Sequence, residues 1–140
     1  MMNTGVMEDH SLTRAGEDYL EAIYCLAVEG PEEAGVRSVD VAERLDVSKA
    51  SVNKALSMLK EQGMVNQNRY GRVLLTDTGR SYARTVWRAH RALRTFLEKD
   101  LGVEAGTADE EACLMEHVLS ADTMERLISY LEGQGIQIES

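Results

Sequence analysis

The 140-residue sequence contains little proline, few aromatic residues and no long apolar run. It has one Pro, one Trp and one Phe, while 44% of its residues are hydrophobic and 28% are charged. With only one proline to interrupt helices, this composition predicts a globular and largely helical protein. No stretch of eighteen consecutive apolar residues occurs, so we expect no membrane-spanning helix and no membrane partner.

The sequence also lacks the features of a secreted protein. Its first twenty residues contain no apolar segment like that of a secretory signal, and the chain has only two cysteines, Cys25 and Cys113. The positions of the two cysteines are compatible with a single disulfide between them. The simpler interpretation is a cytoplasmic protein in which both thiols are reduced.

Positive charge is scarce overall but concentrated in the centre of the chain. The net charge is −9. Residues 37–84 hold nine basic and five acidic residues, a net of +4, whereas residues 1–36 carry −7 and residues 85–140 carry −6. A basic centre between acidic flanks indicates that only the centre contacts nucleic-acid phosphates. Uneven surface charge without such a partner is the alternative.

The apolar periodicity of the first half predicts a helix-turn-helix. The first helix is "TRAGEDYLEAIYCLAVEG" (13–30), and two more follow, beginning at Ser38 and Ser48 as N-caps. The second of these ends near Gly63 and buries a stripe of Val52, Leu56 and Leu59. Because almost no spacer separates the two helices, they form a helix-turn-helix. The next segment, "VNQNRYGRVLLT" (65–76), predicts a β-hairpin, as in the wing of a winged helix.

The second half predicts helices only. A long helix begins at Thr76 or Thr78 and ends at Gly102, and a shorter one covers residues 109–119. A last helix follows Ser120 as its N-cap and ends before Gly133. The predicted fold class is therefore mainly α with a small β-hairpin wing. The predicted domains are a winged helix-turn-helix domain at 1–76 and a helical domain at 77–140. Because the second domain has few helices to bury one another, we expect a homodimer.

The second helix of a helix-turn-helix reads DNA with its N-terminal residues. Asn53 can bind adenine, the serine hydroxyls can bind bases or phosphate, and the lysines and arginines suit phosphates. The predicted DNA contacts are Ser48, Lys49, Ala50, Ser51, Asn53, Lys54, Arg69 and Arg72. A solvated helix face in a protein-binding module is the alternative. The two arginines around the hairpin turn favour DNA.

The stretch "EACLMEHVLS" (111–120) brings three possible metal ligands together. On an ideal helix, Cys113, Glu116 and His117 lie within about 100° of one another. Thiolate, carboxylate and imidazole are ligands of transition metals. Further candidates elsewhere in the chain are Asp18, Glu21 and His90. As alternatives, Cys113 is a small buried residue, His90 an ordinary helix histidine, and the acids are surface charges.

Five segments in this order resemble one known family. They are "GEDYLEAIYCL", "VAERLDVSKASVNKALSMLKEQGMV", "VLLTDTGRSYA", "RAHRALRTFL" and "DEEACLMEHVLS". Together they resemble the diphtheria toxin repressor family, which includes the manganese transport regulators, over residues 14–133. The resemblance implies a winged-helix DNA-binding domain and a helical metal-binding and dimerisation domain. It also implies Fe(II)- or Mn(II)-dependent repression of metal-uptake genes through a double-stranded DNA operator, without an organic cofactor.

The resemblance implies a specific ligand set. The ligand positions fall on Asp18, Glu21, His90, Cys113, Glu116 and His117. The set mixes two branches of the family, since Asp18 resembles the manganese branch and Cys113 the iron branch. We therefore expect Fe(II) or Mn(II), with a slight preference for iron, and Co(II), Ni(II) or Zn(II) as substitutes in vitro. Arg94 and Asp109 stand where the iron branch has ancillary ligands, so we expect no ancillary site of that kind. The resemblance leaves open a two-metal cluster of the manganese-branch kind, supported by Asp18, Glu21 and Glu116.

Longer members of the family continue into a small SH3-like β-barrel, and we expect none within these 140 residues. Two other classes of function compete with the repressor. One is a metal-independent winged helix that binds protein, and the other is a metalloenzyme. The sequence has no motif such as H-E-x-x-H, so we expect that it is not an enzyme.

Overall fold

The computed structural model describes residues 12–31, 34–136 and 138. These residues form two compact units, one comprising residues 12–84 and the other beginning at residue 85. No helix among the described residues is both long and apolar enough to cross a membrane.

The first unit opens with three helices. They are α1 (Arg14–Glu29), α2 (Ser38–Leu45) and α3 (Lys49–Glu61). Thr13 caps α1 by accepting a hydrogen bond from the backbone N–H of Gly16 at 3.0 Å. Ser48 caps α3 in the same way, with the N–H of Ser51 at 3.1 Å. Side-chain caps of this kind satisfy N–H groups that have no partner within the helix, and the cap predicted at Ser48 is confirmed.

Helices α2 and α3 form the predicted helix-turn-helix. The short turn between them passes through Asp46, which has a positive φ of 55°. Val52, Leu56 and Leu59 on α3 are buried as predicted. The cap predicted at Ser38 is wrong, because Ser38 is the first residue of α2 and Arg37 occupies the N-cap position without a side-chain cap. Arg37 instead pairs with the Asp40 carboxylate, with N–O distances of 3.1 and 3.2 Å.

A two-stranded antiparallel hairpin follows and completes a winged helix. Its strands are β1 (Val65–Gln67) and β2 (Val73–Leu75), with Val65 opposite Leu75 and Gln67 opposite Val73. The Asn68 side-chain oxygen closes the turn by accepting from the N–H groups of Tyr70 and Arg72 at 2.9 and 3.0 Å. Asparagine favours turns because its side chain can replace a backbone acceptor in this way.

Helix α4 (Asp77–Thr95) begins in the first unit and continues into the second. The Thr76 hydroxyl accepts from the N–H of Gly79 at 2.9 Å, which confirms Thr76 as its start. Within the first unit, the Tyr82 hydroxyl of α4 donates to the Glu17 carboxylate of α1 at 2.5 Å, and both side chains are buried. A buried carboxylate needs such a donor, so this bond fixes α1 against the start of α4.

The second unit is helical. After α4 come a π-helical turn (Phe96–Asp100), α5 (Ala105–Met115) and α6 (Ala121–Gly133). Its hydrophobic core contains four alanines, at positions 89, 92, 108 and 112, together with larger apolar side chains. The larger buried members are Leu93, Leu97, Met124, Ile128, Leu131 and Ile138.

Three predicted boundaries in this unit differ from the structure. The α-helical part of α4 ends at Thr95, and a π-helical turn occupies most of the remaining predicted helix. Helix α5 covers 105–115 instead of 109–119, because the Glu104 carboxylate caps it earlier by accepting from the N–H of Thr107 at 3.0 Å. Ser120 caps α6 as predicted, but Gly133 is its last residue and does not lie beyond its end.

Candidate functional site

Helix α3 presents a polar face opposite its buried stripe. Lys49, Ala50, Ser51, Asn53 and Lys54 are all exposed, as is the cap residue Ser48. The Ser48 hydroxyl accepts from Ser51 N–H and donates to the Ser51 hydroxyl at 3.0 Å. These two hydroxyls, which were predicted to bind bases or phosphate, therefore hold the first turn of the helix.

The wing adds further cationic and aromatic groups. The guanidinium of Arg69 lies over the ring of Tyr70, 5.2 Å from its centroid, and Tyr70 is 76% exposed. Arg72 is half-buried beside the turn. A polar groove in this unit is lined by Arg37, Lys49, Tyr70 and Arg72, among others. Cationic grooves with exposed aromatic rings suit nucleic-acid backbones.

Sequence reasoning missed Arg37 and Tyr70 as members of this groove. Arg37 comes directly before α2, and Tyr70 had been interpreted only as a turn residue. Both belong to the basic central segment, which was the available signal. Their proximity to Lys49 depends on how the hairpin folds back, which no local pattern reports.

In the second unit, His90 of α4 lies between two carboxylates. Its Nδ1 atom is 2.8 Å from Glu116 Oε1, and its Nε2 atom is 2.9 Å from Asp109 Oδ1. Glu116 is fully buried, and the His90 side chain is only 12% exposed. The ring of His90 also stacks on Trp87, with centroids 6.3 Å apart. The imidazole is therefore held in one orientation.

His117 is the next member of this cluster. Its Nε2 atom is 3.9 Å from Glu116 Oε2, and its side chain is 9% exposed. The prediction had placed Glu116 and His117 on one helix face with Cys113, but α5 ends at Met115 and Glu116 is its C-cap. The chain continues in a tighter turn, with His117 N–H donating to Leu114 O at 3.4 Å. Only Cys113 of the three lies within the helix.

The other predicted ligands are partly buried. Asp18 and Glu21 lie one turn apart on α1 in the first unit, and Cys113 lies on α5 in the second. Neither Cys25 nor Cys113, both of which the structure describes, is in a disulfide. Asp109 was not predicted as part of the ligand set, yet it contacts His90 directly. Its contact with a residue 19 positions away is invisible in the sequence.

Within this cluster, the pair of His90 and Glu116 fits a transition-metal ion. Ligand bonds from such ions to nitrogen and oxygen are about 2.1 Å long, so two ligands at a right angle lie about 3 Å apart. The 2.8 Å between His90 Nδ1 and Glu116 Oε1 is close to that separation. A fully buried carboxylate also needs a cation or hydrogen-bond donors to offset its loss of hydration. Imidazole and carboxylate suit Mn(II), Fe(II) and Zn(II) alike.

Two family models match the chain. Residues 11–73 match "Iron dependent repressor, N-terminal DNA binding domain", and residues 76–133 match "Iron dependent repressor, metal binding and dimerisation domain". The chain therefore carries a DNA-binding domain followed by a metal-binding and dimerisation domain.

Individual proteins are similar over most of the chain. The uncharacterized HTH-type transcriptional regulator MJ0568 of Methanocaldococcus jannaschii is 32% identical over 86% of this chain and 95% of its own length. The diphtheria toxin repressor of Corynebacterium diphtheriae is 33% identical over 83% of this chain and 50% of its own. The solved structure of a manganese-dependent transcriptional repressor in complex with manganese is 36% identical, with a TM-score of 0.72, over 84% of this chain and 52% of that one. The chain thus spans about half the length of the last two.

Proposed function

Because the chain belongs to the iron-dependent repressor family, we propose that it is a metal-activated transcriptional regulator. It binds a double-stranded DNA operator as a homodimer when Fe(II) or Mn(II) is bound, and it represses genes of metal uptake. Residues 1–76 bind DNA, and residues 77–140 bind metal and dimerise. It acts in the cytoplasm, where its operator lies.

The observation that carries this proposal is the buried cluster of His90, Glu116 and His117 in the domain that the family uses for metal binding. Stability alone gives no reason to bury a carboxylate beside two imidazoles, because burying charge is costly. A bound divalent cation supplies the positive charge that offsets this cost. His90, Glu116 and His117 hold it, and Cys113 contributes a further ligand.

Two ligands predicted from the sequence, Asp18 and Glu21, belong to the DNA-binding unit. We propose that they complete the ligand set. Ligands drawn from both units make metal affinity depend on the arrangement of the DNA-binding unit. Linkage then requires that operator binding and metal binding strengthen each other equally, with a typical coupling of about 1–3 kcal/mol.

The DNA contacts are proposed to come from the exposed face of α3 and from the wing. Asn53 reads a base edge, while Lys49, Lys54, Arg69 and Arg72 contact phosphates. These assignments are supported by the exposure of the α3 face and by the basic groove next to it. Truncating Lys54 should weaken binding to all sequences alike, whereas truncating Asn53 should relax sequence preference.

The proposal is tested with an operator selected from random DNA in the presence of Mn(II), using fluorescence anisotropy under anaerobic conditions. We expect Mn(II) or Fe(II) to raise operator affinity about 5–150-fold over chelator, from the coupling above. His117→Ala and Glu21→Gln should lose this gain. Glu29→Gln should keep it, because Glu29 is an exposed acid on the same helix as Glu21 and pairs with Arg44.

Three outcomes would contradict the proposal. Equal DNA affinity with metal and with chelator would make the protein a metal-independent DNA-binding module. Failure to select any DNA would point to a protein-binding winged helix. Loss of the metal response in His117→Ala but not in Glu21→Gln would remove α1 from the ligand set.

A further inference from the structure

Asp109 was not predicted as a metal ligand, but its carboxylate touches one. Asp109 Oδ1 lies 2.9 Å from Nε2 of His90, on the side of the ring opposite to Glu116. The Asp109 side chain is 56% exposed and the His90 side chain 12%. Asp109 is therefore at the solvent edge of the cluster, while Glu116 is at its buried end.

An imidazole can bind a metal through only one nitrogen at a time when the other nitrogen carries the proton. Both ring nitrogens of His90 face carboxylate oxygens, which only accept hydrogen bonds. Because Glu116 is a proposed ligand and Asp109 is not, a cation bound beside Glu116 takes the place of the proton on Nδ1, and the proton stays on Nε2, where Asp109 accepts it. The lone pair is then on Nδ1, and Nδ1 faces Glu116. In metal sites, a carboxylate on the outer nitrogen fixes the ring and increases its basicity.

Arg94 is a second neighbour of the Asp109 carboxylate. Its Nη1 atom is 3.8 Å from Asp109 Oδ1, and its Nε atom donates to Glu98 at 2.8 Å. The Arg94 guanidinium therefore faces Oδ1, the same Asp109 oxygen that contacts His90 Nε2. Asp109 thus presents the acceptor to the outer nitrogen of His90, with Arg94 beside it.

We propose that Asp109 is the positioning residue of the metal centre: it accepts the Nε2 proton of His90 and thereby makes Nδ1 the nitrogen that binds the cation. This inference rests on the proposed function, since it requires His90 to be a ligand. It assigns Asp109 a role through His90, and Asp109 itself does not bind the metal.

The test measures Mn(II) affinity of the full chain by EPR, which counts free Mn(II). Removing an outer partner of a metal-bound histidine typically costs 10–100-fold in affinity, so Asp109→Ala should weaken Mn(II) binding by about that factor. Asp109→Asn should recover part of the loss, because its amide oxygen still accepts from Nε2. Glu110→Ala is the matched control, since Glu110 is an exposed acid next to Asp109 on α5 and should leave affinity unchanged.

A second readout identifies the nitrogen directly. In ¹⁵N-histidine-labelled protein loaded with Zn(II), a long-range ¹H–¹⁵N spectrum distinguishes protonated from metal-bound ring nitrogens, and His90→Gln assigns the signals. We expect a protonated Nε2 and a metal-shifted Nδ1 for His90 in the wild type. Asp109→Ala should broaden or exchange these signals, and Glu110→Ala should not.

The outcomes separate this inference from the proposed function. If His90→Ala binds Mn(II) as tightly as the wild type, the proposed ligand set is wrong. If His90→Ala weakens binding but Asp109→Ala does not differ from Glu110→Ala, the role of Asp109 is wrong and the metal site stands. A metal-shifted Nε2 in the wild type would overturn the inference by itself.

Discussion

The two cysteines differ in burial, and burial determines which thiol can bind a metal. Burial raises the pKa of the Cys25 thiol to about 11, so this thiol stays protonated at neutral pH. Metals bind the thiolate form, and Cys25 is therefore a core residue. Cys113 is partly exposed on α5, four residues before His117. Of the two cysteines, Cys113 is the candidate metal ligand.

At this scale we predict that Cys113→Glu shifts metal preference towards Mn(II). A carboxylate is a harder ligand than a thiolate and suits Mn(II) better than Fe(II). The ratio of the Mn(II) and Fe(II) concentrations that half-activate operator binding should change by roughly tenfold, about 1.4 kcal/mol. Cys25→Ala is the control and should not change the ratio. An unchanged ratio in Cys113→Glu would show that this thiol does not select the metal.

At the scale of single elements, the N-terminus of α3 combines a structural and a proposed functional role. The cap of α3, Ser48, is also the first residue of the proposed DNA-reading face. Its hydroxyl is engaged with Ser51. We therefore expect Ser48 to support DNA binding mainly by holding the first turn of α3, because a cap keeps the end of a helix from fraying.

Substituting Ser48 separates capping from DNA contact. Ser48→Ala removes the cap and should lower the free energy of unfolding by about 1 kcal/mol. Ser48→Asp keeps the cap, because aspartate accepts the same N–H, but it adds negative charge where phosphates approach. Stability by urea denaturation should stay near that of the wild type in Ser48→Asp while operator affinity falls. Retained affinity in Ser48→Asp would place the α3 N-terminus away from the DNA backbone.

The start of α4 depends on a close backbone approach. A Cβ atom at Gly79 would lie 1.9 Å from the carbonyl oxygen of Met64, whereas one at Gly133 would meet nothing within 4 Å. Both glycines are helical. Helical glycine costs up to about 1 kcal/mol relative to alanine, so the substitution should have opposite effects at the two positions.

We therefore predict that Gly79→Ala destabilises the protein by at least about 1–3 kcal/mol, the usual cost of overpacking. Gly133→Ala should stabilise it by up to about 1 kcal/mol. Thermal unfolding monitored by circular dichroism measures both. Equal effects of the two substitutions would mean that α4 does not pack on the Met64 carbonyl.

At the scale of the whole molecule, metal binding should also appear as stability. A ligand that binds only the folded state stabilises it by RT ln(1 + [L]/Kd). We expect the buried carboxylate of Glu116 to be stabilised most by the ion, because the imidazoles beside it carry a positive charge only when protonated.

With Mn(II) at a hundred times its Kd, we predict an increase of about 2.7 kcal/mol in the free energy of unfolding. Chelation with EDTA should reverse it. At the same Mn(II) concentration, the free energy of unfolding of His117→Ala should increase much less. An identical increase in wild type and His117→Ala would assign the stabilisation to metal bound elsewhere on this acidic protein.

Local patterns were enough to predict the helix-turn-helix and its wing. The buried stripe of α3, its cap at Ser48 and the hairpin turn all depend on neighbours within a few residues. The family resemblance, which the comparisons confirm, likewise rests on contiguous motifs. Helix α5 was misplaced because glutamate is a less usual N-cap than the Ser, Thr, Asp or Asn expected from sequence, and its apolar face is narrow.

Tertiary structure alone decided which side chains meet. The contacts of His90 with Asp109 and Glu116 join positions 19 and 26 residues apart, and Tyr82 reaches Glu17 across 65 residues. The sequence predicted His90 and Glu116 as ligands, but it could not show which nitrogen of His90 faces which carboxylate. That choice depends on how α4 and the end of α5 pack around a shared core. Packing brings together residues that are far apart along the chain, and local sequence patterns do not report such contacts.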